Sequence, residues 1–345
     1  MGLVEMSDAG RRGNPRVTSF DVAERAGVSQ STVSRALSGS PSITSGTRER
    51  VLAAASELGY QVDHRASQLR TGKTATVAVV VLRRPDDTVH TSNPFYFELL
   101  GCICEAAASR DLDTLVSLQS EDGDLFGDYV GRGQADGTIV IGSATNSDAW
   151  AYFRELQDDD NNVVFWGSPF DDGRRVRSDN YAGGRLATRH LLDRGYRRIG
   201  FVGPIGTRHT QFVERYKGYC DELEKEGLKP VALPDYPDDD RVGQGRHAAR
   251  ELRQKEPEIQ AFFAASDQLA FGVLQELQEA GVSIPDQIGV VGFDGMASGA
   301  LCSPPLSTIA PDLREAAKLL LQGAIDRVEH PDERAPVKLV VRSSS

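Results

Sequence analysis

A chain of 345 residues is long enough for two or three folding units and a sizeable core. Hydrophobic residues at 39%, charged residues at 26% and no apolar run near the roughly 18 residues of a membrane span exclude a membrane-embedded or globally disordered protein. The net charge of −11 looks wrong for a nucleic-acid binder, but it is unevenly spread: residues 1–74 carry 10 Lys+Arg against 7 Asp+Glu, the remainder 29 against 43. A basic head on an acidic body leaves phosphate attraction possible, because screening confines it to about 10 Å.

Residues 1–16 lack the apolar core of a secretory signal, so a flexible leader and a cytoplasmic protein are expected. From Val17 the apolar positions follow helical spacing, and three short helices are predicted. The first spans Ser19 to Ala26, with Val22, Ala23 and Ala26 inward, and Gly27 ends it in a left-handed or tight turn. Ser29 caps the second, Gln30 to Leu37, which buries Val33, Ala36 and Leu37. The third, Thr47 to Leu58, closes the small core with Val51, Leu52, Ala55 and Leu58. Two helices joined by a short turn around glycine form a helix-turn-helix, and the second would present Gln30, Ser31, Ser34 and Arg35 outward as amide, hydroxyl and guanidinium donors. A plain helical hairpin is the competing interpretation of the pattern.

The arrangement Thr18, Asp21-Val22-Ala23, Ala26-Gly27-Val28-Ser29, Thr32-Val33-Ser34-Arg35 and Thr47-Arg48 resembles the opening of the lactose-repressor (LacI/GalR) family. That resemblance implies a double-stranded, near-palindromic operator as partner, with Gln30, Ser31 and Arg35 reading the major groove. It gives Thr18, Ser29, Thr32 and Ser34 to phosphates or helix capping. After Tyr60, residues 65–69 are expected to amount to one short turn, too short to be helical alone in water, and from the pattern alone they read as an ordinary linker. In the family this stretch folds on the operator, with Ala66 and Leu69 where the small residue and the minor-groove leucine lie. Val62-Asp63 stands where many members have Pro-Asn.

From Thr76 short apolar runs alternate with amphipathic helices, the signature of parallel sheets with crossover helices. Predicted strands are Val77 to Leu82, Thr114 to Leu118, Gly137 to Ile141, Val163 to Trp166, Arg198 to Val202, Ala261 to Ala265 and Ile288 to Gly292. They are too many for one small sheet. The expected fold is a small all-α helix-turn-helix head plus an α/β body of two Rossmann-like subdomains, similar to periplasmic sugar-binding proteins. The divisions are a leader 1–16, a DNA-binding domain 17–62, a hinge 63–74 and an effector-binding and dimerisation domain 75–345. Within the last, one subdomain takes 75–168 with 308–335 and the other 169–307 with 336–345.

Ligands of open parallel sheets bind beyond the carboxyl ends of the strands. Phe95 and Tyr96 follow the first strand and either present aromatic faces to an effector or pack the core. Ser143 follows the third strand, and Trp166 ends the fourth, where an indole could stack on a sugar ring or belong to the core. Arg215 in ERYKGY matches the arginine that reaches the effector in the family, and Asp294 in VGFD matches a polar contact. Ser266 and Asp267 are effector contacts or helix caps, and Asp179-Asn180 is a cleft contact or a cap. Ser266 departs from the asparagine usual in the family.

There is no GxSxG, no Walker GxxxxGK[ST] and no HExxH, and the six histidines are scattered, so neither an enzyme nor a cofactor or metal site is expected. Cys102, Cys104, Cys220 and Cys302 lack paired spacing and are expected to be buried apolar residues. The reading is a transcriptional repressor controlled by a small molecule, a sugar by the mix of Trp166, Arg215 and Asp294 and the family's habits. Control by a protein partner or a non-sugar metabolite is the alternative, and a free solute-binding protein is disfavoured by the head. No heptad tail follows Val340-Val341, which favours a homodimer over a tetramer.

Overall fold

The sequence places helix signals before residue 60 and strand signals after 75, and the computed structural model follows that division. It describes residues 17–60, 73–83, 93–120, 125–142, 146–158, 162–170, 173–206, 210–234, 236, 240–328 and 332–345. The chain forms two units, with the boundary between residues 72 and 73.

In the first unit, α1 (Ser19–Ala26), α2 (Gln30–Leu37) and α3 (Ser45–Leu58) enclose a small core. Val22, Ala23, Val33, Ala36, Val51, Ala54 and Ala55 are its buried members, with Leu37 and Leu58 packed against them. Gly27 takes the left-handed φ of 65° that lets the chain leave α1 and enter α2 three residues later. Two expectations need correction. Helix α3 begins at Ser45, two residues early, because the Thr44 hydroxyl accepts from the Thr47 amide and is the cap. Leu52 is 50% exposed, since Val51 and Ala55 already face the core and the next position turns outward.

The second unit holds two six-stranded sheets, each of which becomes a lobe. Lobe 1 is built on β1 (Thr76–Leu82), β2 (Asp113–Gln119), β3 (Gly137–Gly142), β4 (Val163–Trp166), β5 (Arg175–Ser178) and β11 (Asp332–Ala335), in the order β11-β5-β4-β3-β1-β2. Lobe 2 is built on β6 (Ile199–Val202), β7 (Val231–Ala232), β8 (Ala261–Ala264), β9 (Gly289–Phe293), β10 (Ser307–Pro311) and β12 (Val337–Val340), in the order β12-β10-β9-β8-β6-β7. The two orders correspond strand for strand. All pairings are parallel except β10 with β12. Parallel strands need covering on both faces, and β1, β3, β4, β6, β8 and β9 accordingly read as continuous apolar runs.

Helices α4 (Pro94–Ala108), α5 (Ser147–Asp158) and α10 (Leu313–Ile325) cover lobe 1. Lobe 2 is covered by α6 (Asn180–Asp193), α7 (Thr210–Glu224), α8 (Arg241–Lys255) and α9 (Asp267–Glu279). Among the described residues the chain passes between the lobes three times, after β5, after β10 and between β11 and β12.

These pairings move the expected subdomain boundaries. Residues 175–178 belong to lobe 1, because β5 pairs with β4 and β11, and residues 307–311 belong to lobe 2, because β10 pairs with β9 and β12. The four cysteines are free, but half-buried rather than buried.

Helices α6 and α7 approach closely through glycine. A Cβ on Gly184 would sit 2.1 Å from the Arg215 carbonyl oxygen, and one on Gly218 2.3 Å from that of Tyr181. Backbone cannot yield as a flexible side chain can, so Gly184→Val should destabilise by about 3 kcal/mol or more. Gly101 on α4 faces open space, and Gly101→Ala should instead stabilise by about 0.5–1 kcal/mol. Urea denaturation of the two variants side by side checks this; shifts of the same sign would refute the packing account.

Candidate nucleic-acid interface and effector site

In the head, Thr18 ends the extended lead-in, and its backbone amide and hydroxyl both donate to Asp21 Oδ2, at 2.7 and 2.8 Å. Ser29 does the same work for α2: its Oγ accepts from the Thr32 amide at 3.2 Å and lies 2.9 Å from the hydroxyls of Ser31 and Thr32. The N-terminus of α2 thus carries a cluster of three hydroxyls where helix amides and partial positive charge favour phosphate. Gln30, Ser31 and Arg35 are exposed, Thr32 and Ser34 partly so. Gln30 Nε2 donates to Ser19 Oγ at 3.3 Å, tying α1 to the exposed face of α2. Sequence reasoning passed over Phe20, which the small core leaves 71% exposed beside Ser19. Ala66 and Leu69 lie outside the described residues.

In the body, the candidates gather at the carboxyl ends of both sheets. Asn93 caps α4, and behind it Phe95 is 5% exposed with its ring centroid 6.0 Å from that of Trp166, itself 3% exposed. Tyr96 meets Phe95 edge-on at 6.0 Å and is partly exposed. Phe95 and Trp166 are therefore lobe 1 core, and Tyr96 stands at its margin.

Arg215, on α7, is 3% exposed. Its Nε donates to Asn180 Oδ1 at 2.9 Å, its Nη1 donates to the Ala265 carbonyl at the end of β8, and Nη1 lies 3.5 Å from Asp294 Oδ1. The guanidinium carbon sits 3.5 Å above the Phe293 ring centroid. Asp294 follows β9 with φ 119°, a strained conformation for a residue with a side chain, of the kind found where a side chain must be aimed.

Ser266 caps α9 by accepting from the Leu269 amide at 3.3 Å. Asp267 is fully buried; Thr308 Oγ1 donates to its Oδ1 at 2.6 Å and the Met296 amide to its Oδ2 at 2.7 Å. It joins α9, β10 and the loop after β9 rather than lining the cleft. Asp179 caps α6 by accepting from the Ala182 amide at 3.1 Å, with Arg334 at 3.8 Å. Ser143 lies outside the described residues. Sequence reasoning took Asn180 only together with Asp179, as a cap or cleft contact; it is fully buried and central to the site, and no periodic signal marks it.

Burial dominates the electrostatics. It pushes the Asp294 carboxyl up to about 6, although the Arg215 guanidinium pulls the other way. It raises Asp267 well above the carboxylate range, reinforced by the Asp294 charge, and lowers Arg215 against the pull of Asp294 and Glu214. A carboxyl whose folded pKa exceeds its ordinary 3.8 keeps its proton longer in the folded state, so its contribution to stability falls as pH rises through about 4 to 6 and is level above that. Two pKa units correspond to about 3 kcal/mol. The stability of the native protein minus that of Asp294→Asn should therefore drop by about 2–3 kcal/mol between pH 4 and pH 7, measured by urea denaturation. A difference independent of pH would overturn this assignment.

A helix-turn-helix head and a body of two like α/β lobes, with polar groups at the strand ends, are the parts of a DNA-binding transcriptional regulator. Residues 20–63 match the model of bacterial regulatory proteins of the lacI family, and residues 188–345 match that of periplasmic binding protein-like domains. The HTH-type transcriptional regulator CelR of Thermobifida fusca is 30% identical over 337 residues, 93% of this chain and 94% of that one. The chain belongs to the LacI family of bacterial regulatory proteins.

The ribose operon repressor of Escherichia coli (strain K12) is 27% identical over 319 residues, 91% of this chain and 94% of that one. Among solved structures, the transcriptional regulator CelR-cellobiose complex superposes with a TM-score of 0.65 at 27% identity, covering 96% of this chain and 100% of that one. No helix among the described residues is long and apolar enough to cross a membrane.

Proposed function

We propose that this regulator is a cytoplasmic, nucleoid-associated repressor that grips a near-palindromic operator as a homodimer and changes its grip when a sugar enters the cleft of the body. The observation that carries the effector reading is the buried Arg215–Asp294 pair, 3.5 Å apart at the strand ends of lobe 2, together with Tyr96 at the margin of the Phe95–Trp166 pair in lobe 1. Guanidinium and carboxylate groups recognise ring hydroxyls, and an aromatic margin recognises the apolar face of a sugar. Arg215, Asp294 and Tyr96 touch the ligand in this reading; Ser266, Asp267 and Asp179 hold the backbone that presents them, and Phe95 and Trp166 form the wall. A relative named for the ribose operon and a structure holding cellobiose support the ligand class.

On DNA, Gln30, Ser31 and Arg35 read base edges while Thr18, Ser29, Thr32 and Ser34 hold phosphates. Ala66 and Leu69 are assigned to a hinge that wedges the minor groove. The dimer is supported by β2, an edge strand that exposes Val116 and Leu118 by 45% and 41%, and by Leu301, 88% exposed. A second copy would cover such apolar groups.

A thermal-shift panel of cellobiose, ribose, other mono- and disaccharides, sugar phosphates and nucleobases tests the reading. A ligand at one hundred times its Kd stabilises by about 2.7 kcal/mol. For a body of this size that is a rise of roughly 5–10 °C. A rise with a neutral saccharide is expected; a rise with a nucleobase alone would replace it.

A further inference from the structure

Glu214 precedes Arg215 on α7, and a continuous set of bonds through Asn180 connects their side chains. Arg177, on β5 of lobe 1, donates from Nη1 to Glu214 Oε1. Asn180 Nδ2 donates to Glu214 Oε2 at 3.0 Å, and Asn180 Oδ1 accepts from Arg215 Nε at 2.9 Å. The side chains of Arg177 and Arg215 are 8% and 4% exposed, Asn180 is fully buried, and Glu214 is 23% exposed.

An asparagine amide has a donor end and an acceptor end, and only one of its two flips satisfies a carboxylate on one side and a guanidinium on the other. The Glu214 carboxylate selects that flip. Turned over, the amide would set its oxygen against the carboxylate and its NH2 against the arginine, two unmet groups in a buried site. Arg177 in turn balances the carboxylate, so that a largely buried negative charge does not stand alone beside the site.

The set also crosses between the lobes, because β5 belongs to the lobe 1 sheet whereas α6 and α7 belong to lobe 2. Neighbouring bonds follow the same path: Gln211 Nε2 donates to the Gly167 carbonyl at 2.8 Å, and Thr210 Oγ1 to that of Ser168 at 3.5 Å. The first turns of α7 are thereby held to the ends of β4 and β5.

We propose that Arg177 and Glu214 are positioning residues that aim the Arg215 guanidinium through the Asn180 amide, so that movement of the lobe 1 strand β5 is transmitted to the effector's arginine. The proposal rests on the reading that Arg215 meets the effector, but its test uses no ligand. In the full-length protein labelled with 15N-arginine, the Arg215 Nε–H resonance is identified as the one missing from Arg215→Lys. Its exchange with water should rise at least tenfold in Glu214→Ala. Glu214→Gln keeps an acceptor for Asn180 Nδ2 and should stay within threefold of the native protein. Arg177→Met, which leaves Glu214 in place but unbalanced, should fall between the two.

An unchanged Arg215 resonance and exchange rate in Glu214→Ala overturns the proposal, as does equal exchange in the Ala and Gln variants. Should Glu214→Ala fail to fold, Arg177→Met decides alone: a rise above threefold supports the relay and native exchange refutes it. Whether Arg215 binds the effector is answered separately by titrating Arg215→Lys with the saccharide panel, so either reading can fail while the other stands.

Discussion

Arg215→Ala should abolish the saccharide-induced thermal shift and lower the melting temperature of the unliganded protein by about 10 °C. The substitution removes the cation facing Asp294 and leaves the Ala265 carbonyl and Asn180 Oδ1 without a donor. Breaking a buried pair by removing one partner costs about 3–5 kcal/mol, because the remaining charge is left uncompensated. At roughly 2–4 °C per kcal/mol for a domain of this size the expected shift follows. Arg215→Lys restores a charge without the planar fork, so it should recover much of the stability and little of the ligand response. Differential scanning calorimetry with and without saccharide reads both effects. A variant that melts like the native protein would show that Arg215 anchors nothing.

Arg35→Ala should cost the proposed homodimer about 2–6 kcal/mol in operator binding. Each protomer would contribute one arginine, and a bidentate contact to a guanine edge discriminates by about 1–3 kcal/mol. The expected loss is 30-fold or more in affinity for an operator obtained by in vitro selection, read by fluorescence anisotropy. Binding to unrelated duplex should fall far less, since a base contact, unlike a phosphate contact, does not act on every sequence alike. Arg35 is exposed on α2, so the melting temperature should not move. Equal losses on selected and unrelated DNA would reassign Arg35 to the phosphate backbone.

The head was legible because its stops and starts are written in residue types with local mechanisms. Gly27 and Ser29 mark the end of α1 and the start of α2 to the residue, as a left-handed glycine and a hydroxyl cap act within one turn. The body was legible where strands are covered on both faces. Strand β5 escaped notice because RVRS carries no apolar run, yet all four residues are buried, Arg177 against Glu214. A buried arginine looks like a surface one until its partner, 37 positions away, is known. Strands β7, β10, β11 and β12 are five residues or fewer and were set by pairing rather than by pattern. In the site, Arg215 and Asp294 stood out by resemblance, whereas Asn180 matters only because α6 and α7 bring Glu214 and Arg215 to its two ends.

The three passages between the lobes bear on how such a molecule can be recombined. Lobe 1 takes its last strand from residues 332–335, so it is incomplete until nearly the whole chain has left the ribosome, and lobe 2 is closed by β12 immediately afterwards. Neither lobe is a cassette that one crossover in the gene can lift out. The head is contiguous from residue 17 to residue 60, and a single splice after it exchanges the DNA sequence being read without disturbing a strand of the sensor. New regulatory circuits can thus arise by trading heads, while a change of ligand has to come residue by residue inside an interleaved body.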